Sequence, residues 1–350
     1  AITVPGYILL DNTCLGCATR ATPSTAAVNG AAISLTGALS AGALAGTTGV
    51  TINAVANGSG IGFTQGANAI TAAAGGITIT TNSQAGAGYS STGTITATGQ
   101  AITITGTTTT ETGIYTTGEI NGGAVTLSST QSTSTATLRT VYITGLITAN
   151  SLTVNASGGA SSTNVTLGAI TINAGGGNIS VTANNAAAGA NTGIDQTGAI
   201  TNNAIGSSLS FISNNKISQT GAIALVANTG TLAANITYDT TAGSNTSTIT
   251  SAVPTITGAS TVAINYIVKS NGAILSVPAV TVPGYILLDN TCVGCATRTT
   301  TSTAATNGAA IAITGALSAG TLAGSTGVTI NAVANGSGVG FNQAANTITS

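Results

Sequence analysis

Short runs of alternating apolar and polar residues recur along the chain. In each run a small residue or Gly precedes three to five positions at which Ile, Val or Leu alternates with Thr, Ser or Ala, as in 76–80, 101–105, 168–172 and 178–182. Period-2 alternation of β-branched residues is typical of strands, and the Gly, Asn and Ser between the runs are turn formers. No stretch has a helical apolar stripe. The pattern predicts an all-β protein.

The spacing of one phrase indicates how the strands are organised. Gly-Ala-Ile begins at Gly168, Gly198, Gly221 and Gly272, and the variant Gly-Leu-Ile begins at Gly145, so the first three intervals are 23, 30 and 23 positions. Coils of about 20–25 residues, stacked about 4.8 Å apart, suit a parallel β-helix. We expect a right-handed parallel β-solenoid of Gly/Thr/Ala-rich coils, about 12 coils and on the order of 60 Å for 278 residues. Repeats of a β-sandwich are the alternative.

The chain contains a long internal repeat. Residues 1–72 align without a gap with residues 279–350, and 58 of the 72 pairs are identical. We therefore divide the chain into one repeat unit, 1–278, and the start of the next, 279–350. Within the unit, 1–30 is a cysteine-containing junction segment and 31–278 is a β-rich scaffold. The expectation is a tandem array; duplicated ends that meet between neighbouring subunits are the alternative.

Two segments of the scaffold resemble a known family. Residues 167–181 and 195–201 are similar to the coils of filamentous-haemagglutinin-like adhesins and related β-strand-repeat secreted surface proteins. This resemblance implies an extracellular or cell-surface location and a structural or adhesive role.

Rare residue types concentrate in 4–20 and in its copy 282–298. The chain's four cysteines form two CxxC pairs here: Cys14 and Cys17, Cys292 and Cys295. The other junction residues are Pro5, Tyr7, Asp11 and Arg20, repeated as Pro283, Tyr285, Asp289 and Arg298. Disulfides, within a pair or between copies, are favoured in an oxidising compartment. A tetrahedral thiolate metal site, a redox motif and free thiols remain open alternatives.

The bulkiest apolar run of the unit, 4–10, lies beside these cysteines. Pro5-Gly6 predicts a turn before a strand that is apolar on both faces. Such a strand could fill the core of a coil or be donated to a neighbouring subunit by strand addition. We treat the segment as the junction between units; an ordinary buried strand next to a disulfide loop is the alternative.

Composition narrows the chemistry. Of 350 residues, 11 are charged, the net charge is −1 and there is no His. So few cations exclude nucleic-acid binding through a basic patch, and the lack of His excludes a Ser/His/Asp triad. Glu111 and Glu119 could form a glycosidase pair, but their surroundings are Thr/Gly-rich with one aromatic residue, Tyr115. We expect no enzyme activity and no cofactor.

The expected partners follow from the same features. The longest apolar runs are far below the 18 or more residues of a membrane span, and neutral surfaces pack together without repulsion, so the predicted partner is the protein itself. Glycans are a further possibility, since Asn-x-Ser/Thr occurs at Asn57, Asn155, Asn164, Asn178, Asn235, Asn245 and Asn335. We expect a segment of an extracellular filament, sheath or surface fibre; an adhesin-type binding module is the alternative.

Overall fold

The computed structural model is all-β. It describes residues 1–13, 31–44, 49–56, 60–133, 139–158, 164–185, 192–243, 249–271, 275–291, 310–320, 322, 327–334 and 339–350, and there is no helix within these ranges. The described part of the chain therefore has no helix that could cross a membrane. The chain divides into two compact units, Ala1–Asn173 and Ala174–Ser350.

The described residues of unit 1 form nineteen short strands. They are β1 (Ile2–Val4), β2 (Ile8–Thr13), β3 (Ile33–Ser34), β4 (Leu39–Ala41), β5 (Val50–Ala56), β6 (Phe63–Gly66), β7 (Ile70–Ala72), β8 (Ile77–Ser83), β9 (Tyr89–Ser91), β10 (Ile95–Ala97), β11 (Ile102–Thr108), β12 (Ile114–Thr116), β13 (Ile120–Gly122), β14 (Ala124–Gln131), β15 (Val141–Ile143), β16 (Ile147–Ala149), β17 (Ser151–Gly158), β18 (Val165–Leu167) and β19 (Ile170–Ile172).

Every third strand of unit 1 joins the same sheet. The long sheet is β2-β5-β8-β11-β14-β17, the first short sheet is β1-β4-β7-β10-β13-β16-β19, and the second short sheet is β3-β6-β9-β12-β15-β18. All neighbouring strands pair in parallel, as β5 does with β8 and β12 with β15. Each coil thus supplies one strand to each of three sheets. This confirms the predicted parallel β-solenoid; a β-sandwich would be built from antiparallel pairs.

The core of unit 1 consists of stacked rows of like side chains. One row of the long sheet contains Ile8, Val50, Ile77, Ile102, Val125 and Leu152, all buried. The first short sheet contributes Leu39, Ile70, Ile95, Ile120, Ile147 and Ile170. Alternate residues face outward, where Thr51, Thr78, Thr103, Thr126 and Thr153 form a row in register. The period-2 pattern places apolar residues inside and hydroxyls outside, as the sequence predicts.

The glycine of the recurring phrase lies at the corner before the first short sheet. A Cβ at Gly118 would overlap the carbonyl oxygen of Gly93 in the coil before, and a Cβ at Gly145 would overlap the carbonyl oxygen of Gly118. Successive backbones therefore approach too closely for any side chain. Glycine recurs at this corner because it permits this close approach, although Asn68 and Ala252 occupy the corresponding position in two other coils.

In the part of unit 2 that the structure describes there are eighteen strands. They are β20 (Ile179–Asn185), β21 (Thr192–Gln196), β22 (Ile200–Asn202), β23 (Leu209–Ser213), β24 (Lys216–Gln219), β25 (Ile223–Val226), β26 (Ala234–Asp239), β27 (Ile249–Thr250), β28 (Pro254–Thr257), β29 (Ile264–Ser270), β30 (Leu275–Val277), β31 (Val280–Val282), β32 (Ile286–Thr291), β33 (Ile311–Ile313), β34 (Leu317–Ala319), β35 (Val328–Val333), β36 (Phe341–Asn342) and β37 (Ile348–Thr349). Its long sheet is β20-β23-β26-β29-β32-β35, and its shorter sheets are β22-β25-β28, β27-β24-β21, β30-β33-β36 and β31-β34-β37, again parallel.

Most coils are longer than the spacing of the Gly-Ala-Ile phrase predicts. Register partners in the long sheet of unit 1 run from Val50 to Ile77, Ile102, Val125 and Leu152, and these intervals are unequal. The coil that carries the cysteines is much longer in both copies, from Ile8 to Val50 and from Ile286 to Val328. The phrase spacing underestimates the coil because loops of variable length join the strands. At these lengths 278 residues make about ten coils, not twelve, or on the order of 50 Å.

Candidate functional site

The start of the second copy is covered by the coil that precedes it. Strand β29 pairs with β32, with Tyr266 opposite Ile286 and Val268 opposite Leu288. The Gly284 amide donates to the Ile264 carbonyl at 3.0 Å. A Cβ on Gly284 would overlap that same carbonyl oxygen. The turn before β32 therefore fits closely against the preceding coil.

Side chains of the same coil complete this contact. The Tyr285 amide donates to Oδ1 of Asn265 at 3.1 Å, and the Tyr285 carbonyl accepts from the Tyr266 amide at 3.0 Å. On the outer face Lys269 stands opposite Asp239 on one side and Asp289 on the other. Opposite charges in directly opposed positions stabilise a strand pair. We call this contact, between residues 264–270 and 284–290, the repeat junction.

The first copy has the same strands without the preceding coil. Residues Ile2, Tyr7 and Leu9 are 46 %, 60 % and 53 % exposed, whereas Val280, the copy of Ile2, is 1 % exposed. A Cβ at Gly6 would meet no atom within 4 Å. Towards the following coil the two copies are alike: Ile8 and Ile286 each donate a 2.9 Å hydrogen bond, to Gly49 and Gly327 respectively.

The structure places six of the predicted junction residues. In the first copy Pro5, Tyr7 and Asp11 are exposed; in the second Pro283, Tyr285 and Asp289 are half-buried at the repeat junction. The other six residues lie outside the described ranges: Arg20, Arg298, Cys14, Cys17, Cys292 and Cys295. The strand in 4–10 is buried on one face only. Its outward residues Tyr7 and Leu9 remain exposed because a solenoid strand has one face outside.

A shallow cleft adjoins the repeat junction. It has a volume of about 520 Å³, and Pro254, Ile256, Val282, Pro283 and Gly320 contribute to its lining. No ionisable side chain of the described residues lines it. Its lining also includes the hydroxyls of Thr255, Ser260, Thr281 and Ser318, so it offers packing and neutral hydrogen bonds to a ligand.

A second cleft, in unit 1, is chemically richer. It has a volume of about 440 Å³ and is lined by Ala87, Ser90, Glu111, Thr112, Tyr115, Arg139 and Tyr142. We call it the tyrosine cleft. Its floor is the outer face of the second short sheet, where register places Ser90 opposite Tyr115 and Tyr115 opposite Tyr142. Parallel stacking of coils thus creates an aromatic pair from residues that are one coil apart in the chain.

Ring and charge geometry in the tyrosine cleft is specific. The Tyr115 and Tyr142 rings stack with centroids 5.1 Å apart and planes 17° apart. The Arg139 guanidinium carbon lies 4.7 Å from the Tyr142 centroid, in cation–π contact. Its Nε is buried without a hydrogen-bond partner in the described part of the chain. Partial burial raises the pKa of Glu111 above its usual range.

The two loops that carry the charges are tied together. Gln131 donates through Nε2 to the Glu111 carbonyl at 3.1 Å, and its Oε1 accepts from the Thr140 hydroxyl at 3.4 Å. The Thr108 hydroxyl also donates to the Glu111 carbonyl at 2.6 Å. Thr140 directly follows Arg139, so these bonds fix the positions of Glu111 and Arg139 before any ligand arrives. Glu119, which forms the candidate glycosidase pair with Glu111, does not line the cleft.

Buried tyrosines and glutamines form a second set of polar residues, inside the core. In unit 2 the Gln219 side chain donates to Gln196 Oε1 at 2.9 Å and accepts from the Tyr238 hydroxyl at 3.1 Å. The Tyr266 and Ser251 hydroxyls lie 2.6 Å apart. Burial raises the pKa of Tyr266 to about 12 and also raises the pKa of Tyr238. These groups are satisfied and enclosed, so their role is structural.

The described sequons differ in accessibility. Asn155 is exposed, whereas Asn164 is 3 % exposed and its Oδ1 accepts from Thr140. Asn178 and Asn235 also accept hydrogen bonds, from Ser208 and Asn265. Asn155 and Asn178 are both exposed and are therefore the described sequons best placed for a glycan, which attaches to the side-chain nitrogen. Three further sequons lie outside the described ranges: Asn57, Asn245 and Asn335.

The structure also bears on the proposed metal site. Within the described ranges, no three Cys, Asp or Glu residues lie together as a metal site requires. The four cysteines of the thiolate alternative are not among those residues, so that alternative stays a hypothesis.

Sequence reasoning noticed Tyr115 but missed the cleft. The available signal is the spacing of Tyr115 and Tyr142, which equals that of Val50 and Ile77 and of Val125 and Leu152, each pair one coil apart. This spacing could be recognised as one coil only after the boundaries of the coils were known. No family model matches the chain, and neither the curated proteins nor the solved structures contain a match to it.

Proposed function

We propose that this chain is a segment of an extracellular filament, sheath or surface fibre built from tandem copies of a 278-residue unit. The observation that carries the proposal is the repeat junction. There, β32 of the second copy pairs in register with β29, a strand of the preceding coil. The corresponding strand of the first copy, β2, pairs with β5 in the same register in which β32 pairs with β35.

The mechanism of such a fibre is mechanical. Backbone hydrogen bonds run from coil to coil, and rows of Ile, Val and Leu fill the interior of each unit. Each repeat contacts its neighbours alone, so stability grows with the number of junctions. A net charge of −1 allows fibres to lie side by side without repulsion. An exposed row of threonines keeps that neutral surface hydrated.

Electron microscopy of the native material tests this proposal. The expected result is a continuous fibre with an axial repeat on the order of 50 Å, from about ten coils of about 4.8 Å each. Separate compact particles at all concentrations would contradict it. Mass spectrometry with and without reduction shows in the same sample whether the cysteines link copies.

A binding module on the cell surface is the second candidate function, and the tyrosine cleft favours it. A stacked tyrosine pair on the outer face, beside an arginine whose buried Nε has no hydrogen-bond partner among the described residues, is a costly surface for a purely structural coil. Attachment of the protein to cells tests the idea. We expect Tyr115→Ala to reduce attachment while fibre formation is unchanged; equal attachment of both proteins would exclude the module.

A further inference from the structure

We propose that the tyrosine cleft binds a saccharide that carries a single carboxylate. The proposal rests on the binding-module function and names its ligand class. The cleft volume of about 440 Å³ lies within the range of small-molecule sites, which is roughly 300–1,000 Å³. A groove of this size accepts one or two sugar rings of a longer glycan.

The aromatic pair provides the platform. Tyr115 is 36 % exposed and stacks face to face on Tyr142, so Tyr142 covers one face of the Tyr115 ring and a sugar would pack on the other face, on the side of Ser90. Sugar rings have an apolar C–H face that packs on such a surface, and the tyrosine hydroxyls at its edge remain available for hydrogen bonds. A flat surface with polar edges is the shape that a pyranose matches.

Arg139 selects the charge of the ligand. Its guanidinium is held against the Tyr142 ring, and among the described residues no carboxylate pairs with it. Stacking on the ring occupies one face of the guanidinium and its Nε is buried, so the edge offered to a ligand is the one formed by the two terminal Nη groups. A carboxylate accepts two parallel N–H bonds from that edge. An amide or hydroxyl of a neutral sugar can accept only weaker bonds there.

Glu111 limits the ligand to a single negative charge. Its carboxyl lines the same cleft and can accept hydrogen bonds from sugar hydroxyls, with the Ser90 and Thr112 hydroxyls beside it. A polyanion such as a sulfated glycan would bring further negative groups towards this carboxyl. Because Gln131 and Thr108 hold the Glu111 turn in place, the acceptor is positioned before binding, which lowers the ordering cost.

Titration of the 350-residue chain with two matched sugars tests the proposal. The probes are an oligosaccharide ending in glucuronic acid and its analogue ending in glucose, followed by isothermal titration calorimetry and saturation-transfer NMR. We expect the acidic sugar to bind at least about tenfold more tightly. Its affinity should fall with added salt, because a charge pair is screened, whereas binding of the neutral sugar should not.

Four variants assign the contacts. Tyr115→Ala should weaken both sugars, and Arg139→Gln should lower the acidic sugar to the affinity of the neutral one. Glu111→Gln should retain acidic-sugar binding and admit a sulfated probe. Tyr7→Ala is the control for the aromatic change, because Tyr7 is exposed in the same unit and outside the cleft. Circular dichroism confirms that each variant is folded, and Arg139→Lys, with intermediate preference expected, replaces Arg139→Gln if the latter unfolds.

The two proposals can fail separately. Equal affinity for the two sugars, or a preference that survives Arg139→Gln, overturns the carboxylate proposal. If Tyr115→Ala still reduces attachment to cells in that case, the binding module stands with another ligand. Lack of any binding to either sugar overturns the inference, and unchanged attachment of Tyr115→Ala to cells overturns the module as well.

Discussion

The two copies of the 72-residue segment form the same strands with different neighbours. Strands β1 and β2 of the first copy correspond to β31 and β32 of the second, each displaced by one repeat length. In the second copy β29 covers the segment, and Val280 and Asn290 are buried. In the first copy the corresponding Ile2 and Asn12 are exposed. Nearly identical sequence therefore has different burial.

This difference shows that burial in a solenoid is decided by the adjacent coil. A strand contributes its pairing edge and its inward side chains, but neither is satisfied until another coil stacks on it. The exposure of Ile2, Tyr7 and Leu9 in the first copy is therefore the exposure that these strands have without a coil stacked before them. Predictions about the junction can use the first copy as an internal control for the second.

Alkaline pH should give the largest change. Tyr266 of the covering strand is buried, and burial raises its pKa from 10 to about 12. The folded state keeps this proton while the unfolded state loses it, so the stabilisation is complete below pH 10 and is lost as pH rises towards 12. A difference of this size corresponds to about 3 kcal/mol, and the raised pKa of Tyr238 adds in the same direction.

Urea unfolding between pH 9 and pH 12 measures this loss through tyrosinate absorbance and circular dichroism. Tyr266→Phe is the matched variant, because it removes the ionisable group and keeps the ring. Its stability should depend less on pH than that of the parent chain. A parent chain whose midpoint is constant up to pH 12 would contradict the assignment of Tyr266 to the core.

Truncation of an inward leucine should give the next largest change. Leu288 is buried at the repeat junction, whereas its counterpart Leu10 is half-buried. We expect Leu288→Ala to lower the free energy of unfolding by about 3 kcal/mol and Leu10→Ala by about half of that. Urea titration of the two single variants measures the difference. Equal losses would show that the preceding coil does not decide burial.

The sequence alone predicts the architecture because the strands and corners of a solenoid follow local sequence patterns. Alternation in runs such as 76–80 and 101–105 specifies inward and outward residues, and the Gly-Ala-Ile phrase locates one corner of each coil. The number of residues per coil was harder to predict from the sequence. Loops between strands vary in length, so the spacing from Gly145 to Gly168 does not extend to the coil from Ile8 to Val50.

Glycine at the junction should give an intermediate effect. A Cβ at Gly284 would overlap the Ile264 carbonyl and the Asn265 side chain, whereas one at Gly6 meets nothing. We expect Gly284→Ala to cost about 2 kcal/mol and Gly6→Ala less than about 0.5 kcal/mol in the isolated chain, as urea titration measures. In assembled fibres Gly6→Ala should become as disruptive as Gly284→Ala. Fibres of unchanged length with Gly6→Ala would contradict the junction proposed for the first copy.

The tyrosine cleft was beyond sequence reasoning for a different reason. Its parts come from three coils, and only register brings Ser90, Tyr115 and Tyr142 into one column. The burial of Tyr238 and Tyr266 could not be predicted from the sequence either, because a single tyrosine in a strand pattern is compatible with an inward and with an outward position. A site whose residues come from different coils can therefore be predicted only when the boundaries of those coils are known.

The charge column at the junction should give the smallest effect. Lys269 stands between Asp239 and Asp289, while Asp11 of the first copy faces only Asn53. Removing the cation with Lys269→Gln leaves two carboxylates on either side of a neutral residue, and we expect a loss of about 0.5 kcal/mol in urea titration. Lys216→Gln is the control, because Lys216 stands opposite Thr192.

The two losses should converge in 1 M salt, where the Debye length is about 3 Å. A loss for Lys269→Gln that is independent of salt would mean that the packing of the lysine stem, rather than its charge, holds the strands together. The Asp at position 11 would then contribute nothing to the joining of copies.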